Sequence, residues 1–230
     1  MKIYYAKISE LLEEELQGAM QLLPKERIEK INRTRQKANQ LQSIYAGVLL
    51  EYALKEIGVS GKELTFQKNA DGKPSIKELP YFYYNLSHSK EYVALAVDIC
   101  DIGIDVEGVR TGYQKLVTRF FSAKEVAYLL TNWSDELFTK FWTRKESYLK
   151  VTGFGMRMPL DAFSVIENQV EIFENMPEEM YINGERFYLD SIQIEEKIWL
   201  SVCRKDEPVC IVSDEDILRN VDIKGFLAEG

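Results

Sequence analysis

The chain has 230 residues, 46% of them hydrophobic and 29% charged, enough to bury one sizeable core or two smaller ones. A formal net charge of −8 argues against an extended nucleic-acid footprint, so any anionic ligand must be met by a few placed cations. Three cysteines, Cys100, Cys203 and Cys210, without C-x-x-C spacing, and a single histidine, His88, exclude the usual zinc ligand sets and argue against a disulfide framework.

Residues 1–8 read as a strand, and the MKIYYAKISELLEEE opening turns acidic where a secretory signal stays apolar. No run of about 18 apolar residues is present to span a bilayer. The expectation is a soluble cytoplasmic protein. After Pro24, Ile28, Ile31, Ala38, Leu41, Tyr45, Val48, Leu49 and Tyr52 recur at helical spacing, predicting one long helix to about Ile57, where Gly58 and Gly61 end it. On that helix Arg27, Lys30, Arg33 and Lys37 would share an arc of about 120° beside the apolar face.

A turn-rich stretch, residues 69–74, precedes three predicted strands, Tyr81–Leu86, Tyr92–Val97 and Ile102–Val106. The second half repeats the order. A helix over Ser122–Leu130 and a stronger one over Asp135–Val151 lead into strands near Phe163–Ile166, Arg186–Ile194, Ile198–Cys203 and Val209–Val212. Helix then sheet, twice, predicts an α+β protein of two similar halves, divided at 1–103 and 104–230.

Four short constellations carry chemistry. In Gly103-Ile-Asp-Val-Glu107, Asp105 and Glu107 stand two apart on a strand and so share a face. Two such carboxylates repel unless a cation is shared between them, although the same pair also suits a solvated strand edge. In Phe141-Trp-Thr-Arg-Lys-Glu-Ser-Tyr-Leu-Lys150, Glu146 and Lys150 lie one turn apart on the border of an apolar stripe, a spacing that equally describes a surface ion pair. Lys145 falls inside the stripe, either packed there or snorkelling past aromatics to a polar site. Asn85-Leu-Ser-His-Ser89 is a small polar turn with the lone histidine, and Asp71-Gly-Lys-Pro74 is a β-turn carrying Lys73.

Taken in order, these four motifs resemble the 4′-phosphopantetheinyl transferase superfamily in its long, monomeric form. They span residues 72–150, and weaker likeness over residues 24–47 and 160–165 extends the match to most of the chain. The resemblance implies two α/β halves about a pseudo-twofold axis, with coenzyme A in the cleft between them. It implies transfer of the 4′-phosphopantetheine arm of coenzyme A to a serine of an acyl or peptidyl carrier protein, releasing 3′,5′-ADP, with Mg²⁺ as cofactor and Mn²⁺ as the alternative.

By position, Asp105, Glu107 and Glu146 match the metal-holding carboxylates. Lys150 matches the phosphate-contacting lysine, and Ser87 and His88 the pair near the nucleotide. Lys73 matches the Gly-Lys-Pro lysine, and Arg27 and Lys30 match the basic residues of the first helix. Glu146, Lys150 and His88 are the implied catalytic set, with Glu146 as the base for the serine proton. Relatives place an arginine further along the first helix, whereas Gln40-Leu-Gln-Ser43 offers none. The carrier is expected to dock on residues 113–130, with Leu116, Phe120 and Phe121 exposed. Two alternatives use the same residues: a degenerate coenzyme A binding module and a Mg²⁺-dependent nucleotide hydrolase.

Overall fold

The computed structural model describes residues 1–68, 72–182, 184–209, 211 and 217–228. The chain opens with β1 (Lys2–Lys7), followed by α1 (Glu13–Leu22), α2 (Lys25–Arg33) and α3 (Lys37–Lys55). Two short strands, β2 (Phe66–Lys68) and β3 (Pro74–Ile76), pair with each other. Then come β4 (Tyr83–His88), β5 (Tyr92–Asp98) and β6 (Ile102–Gly108). Helices α4 (Gln114–Phe120), α5 (Ala123–Thr131) and α6 (Asp135–Thr152) lead to the small pair β7 (Phe163–Ser164) and β8 (Glu171–Ile172). The long hairpin β9 (Phe187–Glu195) and β10 (Ile198–Lys205), then β11 (Leu218–Asn220) and α7 (Ile223–Ala228), complete the order.

Two sheets organise the chain. One runs β11-β1-β5-β4 and the other β6-β10-β9, an α+β architecture. Each carries one long helix, α3 on the first and α6 on the second. Strand β5 is buried along its whole length because both faces are covered. Val93, Leu95 and Val97 join the core under α3, while Tyr92, Ala94 and Ala96 meet Ile102, Ile104 and Val106 of β6 and Leu200 and Val202 of β10. A two-residue period applied to a strand with two covered faces requires this near-continuous apolar run. The chain ends back on the first sheet, where β11 pairs in parallel with β1 and α7 packs against α1 and α3.

The single helix expected from Pro24 to Ile57 is two. Thr34 ends α2 with extended backbone (φ −79°, ψ 123°), and Gln36 precedes α3 in a similar conformation. The break is held by local polar bonds: Thr34 Oγ1 donates to the Lys30 carbonyl at 2.9 Å, and Gln40 Nε2 donates to the Thr34 carbonyl at 2.8 Å. Threonine and glutamine side chains satisfy the freed carbonyls, which apolar periodicity does not register. The predicted basic arc is therefore split, with Arg27, Lys30 and Arg33 on α2 and Lys37 at the start of α3.

Helices α1, α4 and α7 lie outside the predicted elements. For α1 the available signal is its acidic first turn, Glu13 to Glu15, with Glu15 Oε2 accepting the Leu12 N–H at 2.6 Å. The Asn69, Ala70 and Asp71 part of the predicted turn lies outside the described residues, as do Cys210 and Val212 of the predicted Val209–Val212 strand.

Helix α6 is anchored by two basic residues that never reach solvent. Lys145 is 1% exposed and pairs with the equally buried Glu125 at 2.9 Å, donating also to the carbonyls of Leu160 and Phe163 at 2.7 and 3.0 Å. It lies over the Phe163 ring at 4.0 Å. Of the two roles open to it, Lys145 takes packing: it fastens α6 to α5 and to the segment around β7. Arg144 does the same for the next stretch, donating to the carbonyls of Val165 and Ile166 and to Ser191 Oγ on β9. Burial pushes the Lys145 ammonium down to about 8, with Glu125 opposing that shift. Lys145→Ala leaves the Glu125 carboxylate buried without its counter-charge, and chemical denaturation should register a loss of roughly 3–5 kcal/mol. A loss under about 1 kcal/mol would mean that the pair is not structural.

Candidate active site

The site forms where β4, β6 and α6 converge, and its geometry starts from the alternation of β6. Ile102, Ile104 and Val106 enter the core between the sheets, so Gly103, Asp105 and Glu107 turn the other way, toward α6. Gly103 lets the helix come close. A Cβ there would stand 2.6 Å from the Val151 backbone nitrogen and far inside contact distance of the Ser147 carbonyl oxygen, both unyielding backbone atoms of α6. One turn of close approach brings Lys150 onto Asp105.

Lys150 Nζ donates to Asp105 Oδ1 at 2.7 Å, to Ser87 Oγ at 2.9 Å and to the Ile104 carbonyl at 2.9 Å. Ser87 donates in turn to Asp105 Oδ1 at 2.8 Å. Three elements thus meet in one knot of hydrogen bonds. Strand β4 is also joined to β6 by side chains, with Asn85 Oδ1 accepting the Ile104 N–H at 3.0 Å and Ser87 Oγ the Val106 N–H at 3.3 Å.

The remaining carboxylates crowd this knot. Asp105 Oδ2 is buried and has no hydrogen-bond partner among the described residues. Glu107 pairs with Arg110, three residues on. Burial first, and then the negative Asp105, pushes both the Glu107 and the Glu146 carboxyls upward, and each of the two also feels further charges around the site. Among the described residues no three Asp, Glu, His or Cys side chains already stand as a formed metal cage. The donor chemistry nonetheless fits a hard divalent cation: all-oxygen ligands, mutual repulsion and one orphaned buried oxygen.

His88 follows Ser87 at the exposed end of β4. Partial burial, then the positive Lys150 and Lys30, push its imidazole down, so it is neutral at neutral pH. Lys30, from α2, and Lys150, from α6, thus both act on His88. Arg27 lies across Gly47 of α3, where an added Cβ would meet its Cδ at 2.7 Å, and donates to the Ser43 carbonyl at 3.3 Å. Burial pushes its guanidinium down. Lys30, His88, Lys150, Ser87, Asp105, Glu107 and Glu146 therefore belong to one neighbourhood. Lys73 is engaged apart from the knot, with Asp101 and, at 2.8 Å, the Val151 carbonyl.

Sequence reasoning passed over Arg110 as part of this region, and it placed Asn85 in the polar turn motif without giving it a role. A basic residue three places after a strand carboxylate was the available signal for Arg110. Of the three residues expected to be exposed for docking, Phe121 is core, 3% exposed and packed 5.9 Å from the Phe138 ring. Leu116 and Phe120 are partly buried. The exposed large side chains of this stretch are Tyr128 (42%) and Leu130 (46%), two residues apart on α5.

Comparison with known proteins shows the family. Residues 101–211 match the family model described as the 4′-phosphopantetheinyl transferase superfamily, and residues 11–100 match that of the N-terminal part of 4′-phosphopantetheinyl transferases. The chain belongs to this superfamily and is a transferase of the phosphopantetheinyl type. It is 29% identical over 228 residues to the 4′-phosphopantetheinyl transferase Sfp of Bacillus subtilis strain 168, covering 95% of this chain and all of that one. It is 34% identical over 170 residues to the 4′-phosphopantetheinyl transferase ffp of Bacillus subtilis, covering 72% of this chain and 76% of that one.

Two outcomes follow from the packing and the charge. Gly103→Ala forces β6 and α6 apart and should cost about 1–3 kcal/mol in urea unfolding; an unchanged midpoint would mean that the close approach is dispensable. Glu146→Gln should raise the melting temperature of the ligand-free protein at neutral pH. A raised carboxyl contributes stability below its ordinary value of 4.5 that is lost as pH rises through the folded value. The gain of the variant should therefore shrink as pH falls toward that value, and a lower melting temperature at every pH would contradict the assignment of repulsion.

Proposed function

We propose that Asp105, Glu107 and Glu146 hold Mg²⁺, with Mn²⁺ as the alternative, against the diphosphate of coenzyme A, and that the phosphopantetheine arm passes to a serine of an acyl or peptidyl carrier protein. The single observation that carries this reading is the orphaned, buried Asp105 Oδ2 beside two carboxyls whose pKa is raised. When bound, the cation supplies charge neutralisation and alignment for phosphoryl transfer.

The side chains of the chain supply the rest. Lys150, fixed by Ser87 and Asp105, presents a placed positive charge to the phosphates at the cost of no reorganisation. Lys30 and Arg27 extend that cationic support toward the nucleotide, and neutral His88 offers a hydrogen bond rather than a charge. Glu146, one helical turn from Lys150, takes the serine proton, directly or through water. The serine oxygen forms its bond to the β-phosphorus as the bond to 3′,5′-ADP breaks. Tyr128 and Leu130 are the apolar side chains of α5 that a carrier would meet. The metal-holding carboxylates and the cations around them all come from one chain, as action by a cytoplasmic monomer requires, and among the described residues no helix is long and apolar enough to cross a membrane.

The test is intact-mass analysis of an apo carrier domain incubated with the protein, coenzyme A and Mg²⁺. One phosphopantetheine should be added, at a rate that falls by at least about 100-fold in Glu146→Ala. Coenzyme A binding without transfer to any of several carrier types would leave a binding module; coenzyme A consumption without a carrier would indicate a hydrolase.

A further inference from the structure

Arg110 does more than neutralise a neighbour. Its backbone N–H donates to Thr139 Oγ1 at 3.0 Å, and that hydroxyl is itself fixed to the Asp135 carbonyl at 2.8 Å, so the residue is tied to α6 independently of its side chain. Its guanidinium carbon lies 5.7 Å from the Trp142 ring centroid and 5.9 Å from that of Tyr113. A delocalised, planar cation is well suited to such ring faces, which hold it whether or not a carboxylate is present. From this seat Nη2 takes Glu107 Oε1. Glu107 is in this way committed to an internal cation, as Asp105 is to Lys150 from the opposite side, and no three-carboxylate cage is ready among the described residues.

We propose that Arg110 is a positioning residue that acts as a placeholder cation: it holds Glu107 while the site lacks its diphosphate and is exchanged for the divalent cation when that ligand arrives. The inference rests on the metal reading above and adds an order to it. Without coenzyme A, Asp105 and Glu107 each already hold an internal cation, so a free divalent cation must displace the guanidinium to gain Glu107 and binds weakly. With coenzyme A the phosphate oxygens add acceptors for the metal and a new partner for the freed guanidinium, which the two rings and the Thr139 bond keep at the rim. Coenzyme A and metal binding are then positively coupled through one side chain.

The experiment is a Mn²⁺ titration of the full-length chain followed by the electron paramagnetic resonance signal of free Mn²⁺, with and without coenzyme A. In the absence of coenzyme A, Arg110→Gln should bind Mn²⁺ more tightly than wild type by about five-fold, the order expected for loss of one partly shielded ion pair. Arg110→Met, which keeps apolar packing against Trp142 and Tyr113 without the charge, should do the same, and Arg110→Lys should stay close to wild type. Coenzyme A should tighten Mn²⁺ binding less in the Gln and Met variants than in wild type, and adding Glu107→Gln to Arg110→Gln should abolish the gain. Equal or weaker Mn²⁺ binding by whichever of Arg110→Gln and Arg110→Met retains a cooperative melt would overturn the placeholder role while leaving the metal site standing. Failure of wild type to bind Mn²⁺ even with coenzyme A would overturn the metal reading itself, and the placeholder with it.

Discussion

Strand β6 has a full backbone partner on one side, β10, and on the other, among the described residues, it is met by side chains of β4. Asn85 and Ser87 of β4 stand in for a backbone neighbour, accepting the N–H groups of Ile104 and Val106. Buried N–H groups left without acceptors would cost about 1–3 kcal/mol each, so these two bonds are what let one sheet end and the other begin at a buried seam. Ser87 then serves twice, because its hydroxyl also donates to Asp105 and receives Lys150. The seam between the two sheets and the site that would hold the ligand are the same few atoms.

That sharing accounts for the unusual charge arrangement. Three carboxylates packed beside a core are unfavourable in a ligand-free protein, and the fold tolerates them through Lys150 on one side and Arg110 on the other. Both cations are held by contacts beyond their ion pairs, Lys150 by Ser87 and the Ile104 carbonyl, Arg110 by two aromatic rings. Such preorganisation suits phosphoryl transfer, where charge must be met on arrival rather than gathered afterwards. The rigidity behind it comes from further back in α6, where Lys145 and Arg144 are buried as internal braces.

Much of this could be read from the residue order. The alternation of Gly103 to Glu107 dictated that both carboxylates share a face, and the four-residue spacing of Glu146 and Lys150 dictated a common helix edge. The strands β4, β5 and β6 and the helices α5 and α6 were legible because each has a strong period; in the structure Ser122 Oγ accepts the Glu125 N–H and Ser134 Oγ the Leu137 N–H, capping α5 and α6. The break at Thr34 was not legible, because side chains rather than a glycine or proline end α2, and periodicity runs through both helices without a visible change of phase.

The sequence by itself determined the composition of the site: which carboxylates, which lysines and which small polar turn, in an order that already resembled the family. Only the tertiary structure decided which of them meet. It seated Lys150 on Asp105 and Ser87, turned Glu107 to Arg110, sent Lys73 to Asp101 and closed Phe121 into the core. The reason is physical. Local spacing sets the direction in which a side chain leaves its own helix or strand, whereas its partner is set by how closely two elements pack, and at this site that distance depends on the missing Cβ of Gly103.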